Sequence, residues 1–322
     1  MSDIEWTDAT WNAIVGCSRV SPGCEHCYAE RFVHRGLSEQ HRGLTVLGKG
    51  TKGPRWTGEV RLVESVLAKP LSWRKPKRVF VNSLSDLFHE KLSNEAIAAV
   101  FGVMAACPHL TFQVLTKRPK RMREWFAWIA SEVDRYDPAW ETTLCVVCAQ
   151  QLSGYRVPSG AGPRERVWPL PNVWLGVTAE DQQRADERIP LLLDTPAAVR
   201  FVSYEPALGP VTFRDEWLRS RCPEHDSPSG FCSLDCRSRT ASLDWLIVGG
   251  ESGPGARPFD LAWARSAVEQ CKAAGVPVFV KQLGARPEHN ERQPVRLRHR
   301  KGADSSEWPE DLRVRQFPGG AS

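Results

Sequence analysis

The sequence predicts an α/β fold, an incomplete or irregular (β/α) barrel of about six to seven parallel strands with two metal-binding-type loop insertions. Three observations predict it. Short apolar runs rich in β-branched residues recur along the chain, nearly continuous, as a sheet covered on both faces requires. Segments of helical period follow most of them. The alternation implies right-handed βαβ units, which build a parallel sheet.

Strands are expected at residues 11–16, 78–83, 111–116, 173–178, 199–204, 244–249 and 277–281. Between the second and third, Ile97, Val100, Phe101 and Met104 recur at i, i+3, i+4, i+7, with Ser93 placed to cap the helix. A helix over 180–193 would turn Ala185, Ile189 and Leu192 inward. Leu261, Ala264, Val268 and Cys271 repeat the pattern, and Gly275 supplies a stop.

The barrel is expected over 1–284, interrupted by insertions at about 138–171 and 210–241, with a polar basic extension over 285–322. Composition agrees with a folded chain: 41% of the 322 residues are hydrophobic and 25% are charged. No apolar run approaches the roughly 18 residues that span a bilayer. The acidic start, Met1 to Trp6, lacks the apolar stretch of a secretory signal, so a cytoplasmic location and no membrane partner are expected. In a reducing compartment, ten clustered cysteines read as metal ligands or catalytic groups before disulfides.

Cys17, Cys24 and Cys27 form C-x6-C-x2-C directly after the first strand. Three thiolates on one loop can hold three irons of a [4Fe–4S] cluster and leave the fourth iron open. A zinc site completed by His26, or buried structural cysteines, are the alternatives.

The segment Trp11 to Glu30 that carries these cysteines resembles the signature of the phage-type three-Cys-motif family. The similarity continues through Val79 to His89, Gln113 to Pro119, Asn172 to Thr178, Arg200 to Pro206, Trp245 to Gly253 and Phe279 to Gln282. That family is a distant relative of radical S-adenosylmethionine (SAM) enzymes. The resemblance implies a partial barrel, a [4Fe–4S] cluster on the three cysteines, and cleavage of SAM to modify a substrate, with an outside electron donor. Two departures stand out. The usual spacing is C-x3-C-x2-C, and the residue before the last cysteine, usually aromatic, is His26, with Tyr28 following.

In a barrel the strand ends meet at one mouth. The strands here end in Asn82, Ser83, Asp86, Thr116, Lys117, Glu205, Gly249, Gly250, Glu251 and Ser252, read as cofactor-binding residues. Ser and Asn suit the amino and carboxylate groups of SAM, carboxylates its ribose hydroxyls, and the glycines a close backbone approach. Lys117 and Arg118 suit a carboxylate or phosphate. Local helix capping is the competing explanation for each residue. Tyr204 and Tyr28 are the candidate catalytic groups by position.

Cys222, His225, Cys232 and Cys236 offer four soft ligands for structural zinc, and Cys145 with Cys148 could supply half of such a site. Lys117 to Arg123, followed by Trp125 and Trp128, suggests a nucleic-acid substrate; Arg74 to Arg78 and the basic tail add further positive charge. No phosphate-binding or dinucleotide glycine motif follows a strand, which disfavours nucleotide hydrolysis and nicotinamide chemistry. The rival to a radical enzyme is a metal-stabilised protein that binds nucleic acid or a protein partner without radical chemistry.

Overall fold

The computed structural model describes residues 4–36, 38–48, 53–132, 140–154, 168–220, 240–289 and 293–320. The chain divides into two compact units, residues 1–177 with 195–198, and residues 178–194 with 199–322. In the first unit the elements run β1 Ala9–Trp11, β2 Ile14–Val15, α1 Tyr28–His34, β3 Thr45–Leu47, β4 Pro54–Trp56, β5 Arg61–Leu62 and α2 Glu64–Leu67. They continue with β6 Lys77–Val81, α3 Asn94–Ala105, β7 Leu110–Thr116, α4 Pro119–Ser131, α5 Trp140–Ser153 and β8 Val173–Thr178. The second unit holds α6 Gln182–Leu193, β9 Val199–Tyr204, α7 Asp215–Leu218, β10 Trp245–Gly249 and β11 Phe259–Asp260. It ends with α8 Leu261–Ala274, β12 Val278–Gln282, β13 Pro287–His289 and β14 Gln293–Pro294.

The main sheet has seven strands in the order β1-β6-β7-β8-β9-β10-β12. The ladders β1–β6, β6–β7, β7–β8, β9–β10 and β10–β12 are parallel. Spatial order follows chain order and the sheet does not close on itself, which is the connectivity of an incomplete (β/α) barrel. Among the described residues, no helix is long and apolar enough to cross a membrane.

The expected strands fall where the apolar runs placed them, with one difference. Residues 11–16 are not one strand. Trp11 ends β1, and Ile14–Val15 leaves the sheet to pair antiparallel with Arg61–Leu62. The cause is Asn82, which sits at φ 59° after β6. Its backbone N–H still reaches the Trp11 carbonyl at 2.8 Å, but its side-chain Oδ1 takes the Ile14 N–H at 3.1 Å. A side chain thereby replaces the next rung of the ladder.

The helices start and stop as the sequence indicates. Ser93 Oγ accepts the Ala96 N–H at 3.2 Å, and Gly275 ends α8 at φ 74°. On α8 Leu261, Ala264 and Cys271 are buried as expected, and Ala267 is buried in place of the neighbouring Val268. The stretch 140–153 differs from the insertion expected there: it is α5, packed against α3. A Cβ on Gly102 of α3 would lie 2.0 Å from the Cys145 carbonyl oxygen, so only glycine permits this approach. That packing explains why Ala96 to Ala105 are all buried rather than amphipathic.

The tail is more than a polar extension. Val280 N–H reaches Val314 O and Gln316 N–H reaches Val278 O, both at 2.8 Å, so the tail satisfies the outer edge of β12. Trp308 and Leu312 are buried beneath it.

Candidate functional site

In the first unit the cysteine loop begins at Gly16, whose φ of 89° and contact with Glu59 exclude a side chain. Ser21 leads into a 3-10 turn, Pro22–Cys24, and Cys27 caps α1. All three thiols are free and of intermediate exposure. Ser21 Oγ lies 3.9 Å from Cys24 Sγ. Arg19 clamps the loop: its Nε donates to Glu30 Oε1 at 2.8 Å, and the same oxygen accepts the Trp56 N–H at 3.1 Å. The sequence reading did not find this Glu30 clamp; a carboxylate on the inward face of an amphipathic helix was its signal.

Burial pushes the Cys17 thiol up to about 12, helped by the Asp86 carboxylate, while Arg118 opposes the shift and both other thiols add to it. Burial also raises Cys27; backbone hydrogen bonding at Glu30 and Ala29 pulls it partly back, and Lys117 helps. Among the described residues no three His, Cys, Asp or Glu side chains converge as a ready-made metal site. A cluster would have to draw the loop inward and displace thiol protons.

Arg118 follows β7 and is 5% exposed. Its Nη1 donates to Asp86 Oδ2 at 3.0 Å and lies 3.8 Å from Cys17 Sγ. Its Nη2 reaches both Ser18 O and Ser18 Oγ at 2.9 Å, and its Nε lies 3.0 Å from both Glu90 oxygens. The expected carboxylate partner of Arg118 is thus the protein's own. Asp86 also accepts from Phe88 N, Thr116 Oγ1 and Lys117 N, so its lone pairs and the Thr116 hydroxyl are used within the fold. His89 Nε2 meets Ser18 Oγ at 2.9 Å, while its Nδ1 accepts the Lys91 N–H at 3.2 Å.

Asn82 is 3% exposed, and among the described residues its Nδ2 has no hydrogen-bond partner. Ser83 Oγ donates to Asn12 Oδ1 at 3.1 Å, and the exposed Tyr28 donates its hydroxyl to the Ser83 carbonyl at 2.5 Å. Within the basic stretch read for nucleic acid, Trp125 is fully buried, Arg118 is held as described and Arg121 reaches Leu92 O and Asn94 Oδ1, while Lys120 and Arg123 are exposed. Cys145 and Cys148 are buried on α5. Cys222, His225, Cys232 and Cys236 lie outside the described residues.

In the second unit Glu205 Oε1 accepts from Lys281 Nζ at 2.7 Å and from Gln282 Nε2 at 3.2 Å. The bridge crosses over Gly249, where a Cβ would lie 3.2 Å from the Glu205 Cδ. At Gly250 a Cβ would lie 2.6 Å from the Leu283 carbonyl. Both glycines make room for the protein itself. Glu251 is buried and gripped by Arg257, whose Nε and backbone N–H reach Oε2 at 3.0 and 2.9 Å. Ser252 is half-buried in the following bend. Tyr204 faces the opposite side of β9: it is buried, its hydroxyl donates to the Gly209 carbonyl, and burial raises its pKa.

No curated protein and no solved structure matches the chain. The model of the family described as "Protein of unknown function (DUF5131)" matches residues 1–310, and the chain belongs to that family.

Proposed function

We propose that the protein is an iron–sulfur enzyme of the radical SAM type, with a [4Fe–4S] cluster held by Cys17, Cys24 and Cys27. The observation that carries the reading is the company these thiols keep. Three free cysteines share one loop, and the Arg118 guanidinium lies 3.8 Å from Cys17 Sγ. Three thiolates that sheltered would otherwise repel one another strongly. The residues fit a sulfur-ligated group better than a purely structural role, since structural free cysteines are typically buried, as Cys107 and Cys271 are, whereas these three are partly exposed together on one loop.

When bound, the cluster would supply an open iron that delivers one electron to SAM. Arg118 would hold the cysteine loop against Asp86 and offset the sulfur charge. Asn82 Nδ2, a buried donor with no partner among the described residues, is the group we assign to the SAM carboxylate. Ser83 stands beside it. Cys222, His225, Cys232 and Cys236 remain the zinc ligands of this reading, whereas Cys145 and Cys148 serve the contact between α3 and α5. The electron comes from an outside donor.

The test is anaerobic reconstitution with iron and sulfide, followed by EPR of the reduced protein with and without SAM. A reduced cluster signal that shifts with SAM and is lost in Cys24→Ala is expected. Zinc at the three cysteines with no iron uptake would overturn the reading and leave a metal-stabilised binding protein.

A further inference from the structure

We infer that the outer face of α1, together with the adjoining β3–β4 hairpin, binds single-stranded nucleic acid. The inference needs neither iron nor SAM; it goes beyond the cluster reading by naming what would be held next to it.

Helix α1 is amphipathic in an unusual sense. Ala29, Glu30 and Val33 form its buried side. The opposite side carries Tyr28, Arg31, Phe32 and Arg35, at i, i+3, i+4 and i+7, so aromatic and guanidinium groups share one stripe. Tyr28 is 55% exposed and Phe32 40%. Among the described residues the exposed large apolar side chains are Val20, Tyr28, Phe32, Val46, Leu47 and Val147, and all but the last fall between residues 20 and 47. Such concentration marks an interaction surface, because apolar residues scattered singly would need no explanation. The hairpin belongs to the same surface: α1 packs against β3 and β4, and His34 Nδ1 lies 3.2 Å from Thr45 Oγ1.

Charge selects the occupant. Residues 20–62 contain seven Lys and Arg against four Glu. Three of those carboxylates are engaged within the protein: Glu30 by Arg19, Glu39 by Arg42 and Glu59 by Lys91. Arg35, Arg55 and Arg61 are exposed. A second copy of the chain docked face to face would set these guanidiniums against their own kind, which disfavours self-association. A polyanion with flat apolar faces fits both features. Along the helix axis the positions of Tyr28 and Phe32 are offset by about 6 Å, nearly double the roughly 3.4 Å rise of stacked bases. Each ring can therefore take one base of an extended strand, with guanidiniums between them for phosphates. A duplex, whose bases are already stacked, could offer only its backbone. Cys27 caps the same helix, so the bound strand would lie beside the cysteine loop.

The test is fluorescence anisotropy of the full chain with a short fluorescein-labelled oligothymidylate over a salt series, alongside the matching duplex. Saturable binding that prefers the single strand is expected. Phe32→Ala should weaken it about tenfold, and Phe32→Tyr should restore it. Arg35→Gln should reduce the salt slope by about 0.7. Lys272→Gln, an exposed lysine on α8, should change neither. Thermal melts of the variants check that each is folded; Phe32 and Arg35 are exposed, so unfolding is not expected. Absence of saturable binding at low salt would overturn the inference. So would equal affinity for the duplex, indifference to Phe32→Ala, or displacement by polyglutamate as effective as by unlabelled oligonucleotide, which would indicate an acidic protein partner. Iron uptake by Arg35→Gln, read separately, keeps failure here distinct from failure of the cluster reading.

Discussion

The Arg118 guanidinium stands between Asp86 and Cys17, with Nη1 3.0 Å from the carboxylate and 3.8 Å from the sulfur. Burial opposes its charge, but Asp86, Cys17 and Glu90 together raise its pKa above the ordinary value, so it stays a cation inside the fold. One residue at the end of β7 thus couples the cysteine loop, through Ser18, to the loop that follows β6.

Replacing Arg118 tests that coupling. Arg118→Leu leaves the buried Asp86 carboxylate uncompensated and should destabilise the protein by about 3–5 kcal/mol in urea unfolding. Arg118→Lys keeps the charge, yet a single ammonium cannot reach Asp86, Glu90 and Ser18 together, so it should restore only part of the loss. Full stability in Arg118→Leu would mean that the network contributes nothing.

At Gly102 two effects compete, and their sizes decide the sign. Glycine inside a helix costs about 1 kcal/mol relative to alanine, so Gly102→Ala would stabilise an exposed helix. Here the added methyl would sit 2.0 Å from the Cys145 carbonyl oxygen, and backbone cannot yield as a side chain does. Overpacking costs about 1–3 kcal/mol or more, so a net loss of stability is expected. A raised melting temperature for Gly102→Ala would refute the α3–α5 contact.

Stability should fall on both sides of neutrality. Burial, then Arg118, lowers the His89 pKa below its ordinary 6.5. Below that value the unfolded chain binds a proton that the folded one refuses, so stability is lost as pH falls below 6.5. Burial pushes Cys107 and Cys271 up from 9.0 to about 12. Between those values the unfolded chain releases thiol protons that the folded chain keeps, so stability drops as pH rises, by at most about 1.4 kcal/mol per unit and per group. Urea midpoints from acid to alkaline pH should trace a dome, and Cys107→Ala should flatten its alkaline side. A plateau up to alkaline pH would contradict the burial of these thiols.

The Glu205–Lys281 bridge is 17% exposed on both sides. Lys281→Met should destabilise by about 2 kcal/mol, because Glu205 loses its ammonium partner and keeps only Gln282. Adding Glu205→Leu should recover part of the loss, since no charge is then left unpaired. A double-mutant cycle by thermal melting reads the coupling; additive losses would show that the two side chains do not interact.

Much of the fold is legible in the sequence. Apolar runs placed the strands, and Ser93 and Gly275 marked helix ends, because backbone hydrogen bonding and side-chain period act locally. The three cysteines of the loop were equally plain, since spacing along a chain needs no folding to be read. What escaped was whatever depends on a distant partner. Asn82 diverting residues 14–15 from the sheet, α5 pressing its backbone onto Gly102, and Arg118 reaching Ser18 each join positions far apart in sequence.

The sequence by itself determined the alternation of strand and helix, the cysteine loop at its head, and the stock of polar groups at the strand ends. Only the tertiary structure decided how those groups are used. It assigned Asp86, Thr116 and Arg118 to one internal network, turned Tyr204 inward onto a carbonyl, and brought Tyr28, Phe32 and Arg35 out to the surface. The physical reason is that a hydrogen bond or a buried charge takes its meaning from the atoms within a few ångströms of it, and folding alone chooses those neighbours.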